Sequence, residues 1–268
     1  MSATSETKKP DVSFVLPCYN EVDVVGYTVP QLAEAFEARG WKIELVCVEN
    51  GSTDGTGRVL ERLKAEGRPV VHVKVEKNQG YGFGIISGLP HASAAWIGMI
   101  PADGQVDAED VVRLFEAVRV SRSPVVGKVR RRFRMDGFLR KIVSIVYNIV
   151  VFCLYPRLGS VDVNGSPKIL PRHLVPLLEL SERRWFLDPE LMIKAHELGV
   201  RVLEVNVFAR MRSNGLSHVR PSACWEFFRD LLRYRFGSVL SPWRRSIADR
   251  KARAAQMPEP AAAPHSVK

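Results

Sequence analysis

The sequence contains no Cys-x-x-Cys pair and no cluster of cysteine with histidine. Its four cysteines, Cys18, Cys47, Cys153 and Cys224, stand far apart. That spacing excludes a structural zinc site of ordinary pattern and a disulfide framework, and the thiols are expected to be reduced. The opening residues, MSATSETKKPD, hold no apolar run of the kind a signal peptide needs. The expectation is a chain that stays on the cytoplasmic side. The apolar stretch at 142–155, IVSIVYNIVVFCLY, has 14 residues, short of the roughly 20 that span a bilayer as a helix. Acidic residues are also in deficit, 29 against 39 Lys and Arg, and no internal repeat is present.

What is present describes an ordinary globular protein with an unusual charge. A length of 268 residues suits one main domain with an appendage, and 46% hydrophobic with 25% charged residues argues against disorder and against a polytopic membrane protein. The net charge of +10 should draw the protein to polyanions. The excess is clustered: KVRRRFRMDGFLRK at 128–141 carries seven Lys or Arg against Asp136 alone, and WRRSIADRKAR lies near the C-terminus. No nucleic acid is expected, because these residues lie on no recognisable reader motif.

Strand and helix signals alternate. VSFVLPCYN, KIELVCVEN, VVHVKVE and AWIGMIPAD are short apolar runs ending in polar residues, separated by helical segments near 22–38, 57–67 and 106–120 and by the glycine-rich KNQGYGFGIISGL. This order predicts an α/β fold with a mostly parallel central sheet covered by helices on both faces. Ligands of such sheets bind beyond the carboxyl ends of the strands. Residues 17–21, 49–54, 78–84 and 102–105 all fall there and are expected to converge on one crevice. Further on, 142–155 suits either a buried helix or one partly embedded in a membrane surface. In SACWEFFRDLLRYRFG, Trp225, Phe228, Leu232 and Phe236 recur at helical spacing among arginines, which fits an interfacial helix and core packing equally. The expected organisation is a flexible stretch 1–10, a domain 11–220, an amphipathic helix 221–242 and a basic, Pro/Ala-rich disordered tail 243–268.

The polar groups at the strand ends suit a nucleoside diphosphate. A base needs carboxylate or amide partners, and a departing diphosphate needs a divalent cation on oxygen ligands together with basic side chains. VLPCYNE, VENGSTDGT, NQGYGFGIISGL, ADGQ, VNGSPKIL and EVNVFARMRSNGLSH stand in an order that resembles family 2 glycosyltransferases of the Rossmann-like GT-A fold. The branch they resemble most contains dolichol-phosphate mannose synthase and bacterial polyprenyl-phosphate glycosyltransferases. The resemblance covers about residues 11 to 220.

The resemblance implies that Pro17, Tyr19, Asn20 and Glu21 line the nucleotide pocket together with Asn78 and Gly80, and that Glu49 faces the base. Asp54 is better read as a brace for its turn and the following helix. Asp103 and Gln105 match the last two functional positions of the family's Asp-x-Asp-x-Gln, while Pro101 replaces the first aspartate. A Mg²⁺ or Mn²⁺ ion held by Asp103 and Gln105 is therefore expected, with weakened metal dependence. Lys168 and Arg212 match phosphate-contacting positions, with Ser166 and Ser217 as donors; a solvated surface role is the alternative for the two cations. Asp188 and Glu190 match an acidic position near the acceptor, and Asp188 reads equally as a helix N-cap.

The expected activity is inverting transfer of a sugar from a UDP- or GDP-sugar to polyprenyl phosphate, at the inner face of an anionic membrane. An ionised lipid phosphate needs cations to position it rather than a strong base. Two alternatives stay open. One is transfer to a hydroxyl with Asp188 as general base. The other is a non-catalytic relative whose metal site was lost at Pro101, against which stand the retained Glu49, Asp103, Gln105, Lys168 and Arg212.

Overall fold

The computed structural model describes residues 9–134, 138–209 and 221–256. The chain runs β1 (Val12–Cys18), α1 (Val22–Glu37), β2 (Ile43–Asn50), α2 (Thr56–Ala65), β3 (Val70–Val75), α3 (Tyr81–Gly88), β4 (Trp96–Met99) and α4 (Ala108–Arg119). It continues through β5 (Val125–Arg134), α5 (Phe138–Leu154), β6 (Lys168–Pro171), α6 (Val175–Leu178), α7 (Leu187–Glu197), β7 (Arg201–Ala209), α8 (Pro221–Phe236) and α9 (Leu240–Gln256). The strands form one sheet in the order β3-β2-β1-β4-β6-β5-β7. Pairs β2/β3, β1/β2, β1/β4 and β5/β7 are parallel; β6 alone runs against its neighbours β4 and β5. The expected α/β architecture is observed.

Strand alternation explains the two cores. Phe14, Leu16 and Cys18 point to one face of β1, where they pack with Val29 and Phe36 of α1 and Phe115 of α4, while Val15 points to the other, toward Ile85 of α3. Phe36 sits 5.6 Å from both Phe14 and Phe115 by ring centroids. A side chain of this kind, with no exposure, contributes about 3 kcal/mol of burial. The helix α4 starts where Asp107, in extended geometry, accepts a 3.1 Å bond from the Glu109 amide, the ordinary chemistry of an N-cap.

One expectation differs from the structure. From residue 243 a disordered tail was expected, yet α9 extends to Gln256. Its Trp243 and Ile247 are buried, and the Trp243 indole donates to the Leu177 carbonyl at 2.9 Å. Composition favoured disorder there, but apolar residues one helical turn apart dock it. Residues 1–8 and 257–268 lie outside the described part. The helices α5 and α8 each have one buried and one exposed face. On α5, Ile145, Val146, Ile149 and Phe152 are exposed; on α8, Trp225, Phe228, Leu232 and Phe236 are exposed, while Leu231 and Tyr234 face the core. These stripes are therefore not core packing. No helix among the described residues is long and apolar enough to cross a membrane.

Candidate active site

Because β1 pairs in parallel with both β2 and β4, their carboxyl ends and following loops lie side by side. The loop after β1 is stitched to the loop after β2. Asn20, at φ 54°, accepts from the Thr53 amide at 2.9 Å and donates its own amide to the Ser52 hydroxyl at 3.1 Å. The Glu21 amide donates to Thr56 Oγ1 at 2.9 Å. Asp54 joins the same seam by accepting from the amides of Val22 at 3.0 Å and Thr56 at 2.9 Å, and from the Thr56 hydroxyl at 2.6 Å. Burial works to raise the Asp54 carboxyl, but the bonds from Thr56 and Val22 outweigh it and hold the group below the usual carboxylate range. The bracing expected of Asp54 agrees with these bonds.

The third loop is tied to the second through Asn50, buried at the end of β2. Its amide donates to the Gly80 carbonyl at 3.0 Å and to Asn78 Oδ1 at 3.3 Å, and Asn78 Oδ1 also accepts from the Gly80 amide at 2.8 Å. Pro17 lies beneath Gly84, where an added Cβ would stand 2.7 Å from the proline Cβ. Tyr19 is exposed at the mouth. Glu49 points to the opposite side of β2 from Asn50, with its carboxylate 3.2 Å from His72 Nε2 and against Gly57 in the first turn of α2. Any side chain at 57 would collide with it, at 2.4 Å from Oε1. Glu49 is thus engaged by His72.

Asp103 follows β4 and is almost fully buried, with Oδ1 accepting from the Gln105 amide at 3.2 Å. Among the described residues no group of three His, Cys, Asp or Glu could hold a metal ion. Asp103 and Gln105 nevertheless supply hard oxygen donors at one loop, which fits Mg²⁺ or Mn²⁺; such an ion needs only one or two protein carboxylates beside substrate phosphates.

On the other side of β4, Lys168 of β6 has no solvent exposure. Its ammonium donates to Asp188 Oδ1 at 2.6 Å and to the Gly165 carbonyl at 2.9 Å. Burial lowers its pKa from the ordinary lysine range, against the pull of Asp188. The solvated surface role stated as the alternative for Lys168 does not match this placement, because the sheet turns the side chain inward to α7. Asp188 is likewise no N-cap: Phe186 holds that position without a side-chain cap, and Asp188 lies within the first turn. Glu190 faces away from this pair. Fully buried, it accepts from the amides of Ser181 at 3.1 Å and Glu182 at 2.9 Å and from Lys194 at 2.7 Å, and so holds the segment before α7. Arg212 and Ser217 lie outside the described residues.

Tyr81 was missed. It opens α3, stacks on Trp185 at 5.0 Å with the rings 10° apart, and its hydroxyl meets Ser166 between the charges of Asp188 and Asp103. Burial first, then Asp188, push that hydroxyl well above the ordinary tyrosine range, so it stays a neutral donor. Gly82 permits the approach, since a Cβ there would stand 2.2 Å from the Glu182 carbonyl. The available signal was an aromatic residue set between two glycines at a helix start. Ser166 itself donates to the Met99 carbonyl at 3.2 Å.

The model of the family described as "Glycosyl transferase family 2" matches residues 13–161. The chain is 30% identical over 206 residues to the undecaprenyl-phosphate 4-deoxy-4-formamido-L-arabinose transferase of Klebsiella pneumoniae (strain 342), covering 76% of this chain and 61% of that one. It therefore spans less than two thirds of that relative's length. Among solved structures it resembles glucosyl-3-phosphoglycerate synthase from Mycobacterium tuberculosis in complex with Mn²⁺, uridine diphosphate and glucosyl-3-phosphoglycerate. The TM-score is 0.67 at 20% identity, over 84% of this chain and 80% of the other. The same enzyme in complex with phosphoglyceric acid matches with a TM-score of 0.66 at 21% identity, over 84% and 80% of the two chains.

Proposed function

The chain belongs to glycosyl transferase family 2, and from that premise we propose that it moves a sugar from a nucleoside diphosphate sugar to a polyprenyl phosphate at a membrane surface, with inversion. The Klebsiella pneumoniae relative is named for transfer to undecaprenyl phosphate, which supports a lipid phosphate acceptor, and the Mycobacterium tuberculosis neighbour binds uridine diphosphate with Mn²⁺, which supports a nucleoside diphosphate donor. The observation that carries the choice of acceptor is the contact between Lys168 and Asp188. A carboxylate that accepts a 2.6 Å bond from a buried ammonium is committed to that ammonium and is poorly placed to take a proton from a hydroxyl. An ionised phosphate needs no such base.

In this mechanism a phosphate oxygen of the lipid attacks the anomeric carbon. The new oxygen–carbon bond forms on the face opposite the breaking bond to the diphosphate, whose electron pair leaves with it, and no proton moves. Pro17, Tyr19, Asn20, Glu21, Asn78 and Gly80 contain the nucleotide, and Glu49 reaches the base in company with His72. Asp103 and Gln105 would hold a divalent cation, which offsets the charge of the departing diphosphate. With Pro101 in place of a second carboxylate, that hold is weaker. Tyr81 and Ser166, bonded to one another, stand between the two halves of the site.

The apolar stripes of α5 and α8 support the membrane setting. The helices touch through Tyr147 and Phe227, 5.3 Å apart, and Arg229, Arg233 and Arg235 lie among the exposed Trp225, Phe228, Leu232 and Phe236. Apolar residues flanked by cations suit an anionic headgroup layer. The test is release of UDP or GDP from the matching nucleotide sugar with and without polyprenyl phosphate. Release only with the lipid is expected; transfer to a soluble hydroxyl instead would overturn the acceptor.

A further inference from the structure

Lys128 belongs to the basic stretch 128–141, whose charge suggests an outward-facing patch, yet Lys128 has no solvent exposure. It stands directly opposite Lys168 in the antiparallel pairing of β5 and β6. Two like charges facing one another inside a sheet are unfavourable unless each is compensated. Lys168 has Asp188. Lys128 has Glu204 of β7, whose Oε1 accepts its ammonium at 3.0 Å.

Between the two lysines threads the segment 160–168. The Lys128 ammonium donates to the Asp162 carbonyl and, at 3.3 Å, to that of Val129; Lys168 donates to the Gly165 carbonyl at 2.9 Å. Arg131, next on β5, grips the Asp162 carboxylate through two guanidinium bonds of 2.8 Å. Glu204 closes the frame from outside by accepting from the Ser160 hydroxyl at 2.6 Å and the Val161 amide at 3.1 Å. Gly165 fits because a Cβ would stand 2.0 Å from the Val129 carbonyl and 3.0 Å from Lys128 Nζ. The segment that delivers Ser166 and Lys168 to Asp188 is therefore fixed by buried charges on neighbouring strands.

We propose that Lys128 is a positioning residue, whose charged ammonium holds the 160–168 segment and through it keeps Ser166 and Lys168 in place beside Asp188. Its importance for turnover rests on the acceptor assignment proposed above. The charged groups that face it are Glu204, Asp162 and Lys168, with Arg131 beyond Asp162. Burial, and after it the Lys168 charge, lower Lys128 to about 8 against the opposing pull of Asp162 and Glu204. Loss of its proton removes the charge that compensates Glu204 and leaves two N–H groups for three acceptors, so the hold on the segment weakens.

The experiment is hydrogen exchange across residues 160–168 of the full chain from pH 7 to 9.5, corrected for base catalysis of exchange, with kcat and KM for the nucleotide sugar over the same range. Protection of the segment is expected to fall about tenfold through pH 8, with kcat falling alongside and KM for the nucleotide sugar unchanged. Glu204→Gln keeps the shape and removes the charge that favours the ammonium, so both transitions move to lower pH. Lys128→Met gives low protection at every pH if it folds, and Glu204→Gln decides the matter if it does not. Protection that ignores pH, or a pH step in protection without one in kcat, overturns the proposal. If no lipid phosphate supports turnover, the acceptor assignment fails, and the exchange step alone then decides whether Lys128 holds the segment.

Discussion

Asp188 accepts a 2.6 Å bond from Lys168, and the two are joined from a helix and a strand 20 positions apart, with no solvent reaching the ammonium. Breaking such a pair from one side leaves an uncompensated buried charge. Asp188→Asn and Lys168→Met are each expected to cost about 3–5 kcal/mol in urea denaturation. The double variant should cost clearly less than the sum, because it removes both charges. Turnover should fall similarly in either single variant. A stable Asp188→Asn protein with turnover down by several orders of magnitude, beside a Lys168→Met protein that keeps its activity, would restore Asp188 as a general base.

Asp103 is the one carboxylate at the candidate metal loop, with Gln105 beside it. Calorimetry of UDP should show affinity enhanced by Mn²⁺, and Asp103→Asn should lower the metal-dependent part about tenfold, or about 1.4 kcal/mol. Pro101→Asp, which supplies the second carboxylate of the family pattern, should raise metal dependence. Equal affinity with and without metal in the unaltered protein would instead make basic side chains the ligands of the diphosphate.

Trp225 and Phe236 are 72% and 74% exposed at opposite ends of the α8 stripe. Replacing both with Glu removes no core contact, so the melting temperature should stay within about 2 °C. Binding to vesicles rich in anionic lipid should fall about tenfold or more, and binding of the unaltered protein should weaken as salt rises. Vesicle binding that the double change leaves intact would remove α8 from the membrane surface.

Asp162 provides a test in acid. Burial alone would raise its carboxyl, but the Arg131 guanidinium, with Lys128 behind it, holds it far below the usual carboxylate range. Its folded-state pKa is therefore depressed, so its stabilisation is complete above the unfolded value near 4 and is lost as pH falls below that value. Asp162→Asn should cost about 3 kcal/mol at pH 7, and the gap between the two proteins should narrow as pH drops from 5 toward 2. A constant difference in stability over that range would show that Asp162 is not charged in the fold.

Much of the β3-β2-β1 half of the sheet was legible because its signals are local. Residues 12–18, 43–50 and 70–75 read as strands from short apolar runs closed by polar residues, and the bracing by Asp54 follows in part from a carboxylate that accepts from Thr56 two positions on. The β6-β5-β7 half was not legible in the same way. Lys168 was expected to contact phosphate, with a solvated surface role as the alternative, and the sheet buries it against Asp188. Lys128 and Arg131 sit in a run of cations that resembles a solvated face, yet their partners, Glu204 and Asp162, lie 76 and 31 positions away. Trp243 stands where composition suggested disorder, but Leu177, 66 positions back, accepts its indole.

The sequence by itself determined the alternation of strands and helices, the polar residues that close the strands, and the family motifs with Asp103 and Gln105 in place and Pro101 where an acid is usual. Each of these depends on spacing within about ten residues, which the chain carries whatever its neighbours. The tertiary structure decided which charges are buried and with whom they pair. It did so through the order β4-β6-β5-β7, in which the reversed strand β6 lies between β4 and β5 and sets Lys168 against Lys128. The cost of burying a charge depends on everything packed around it, and no local pattern contains that information.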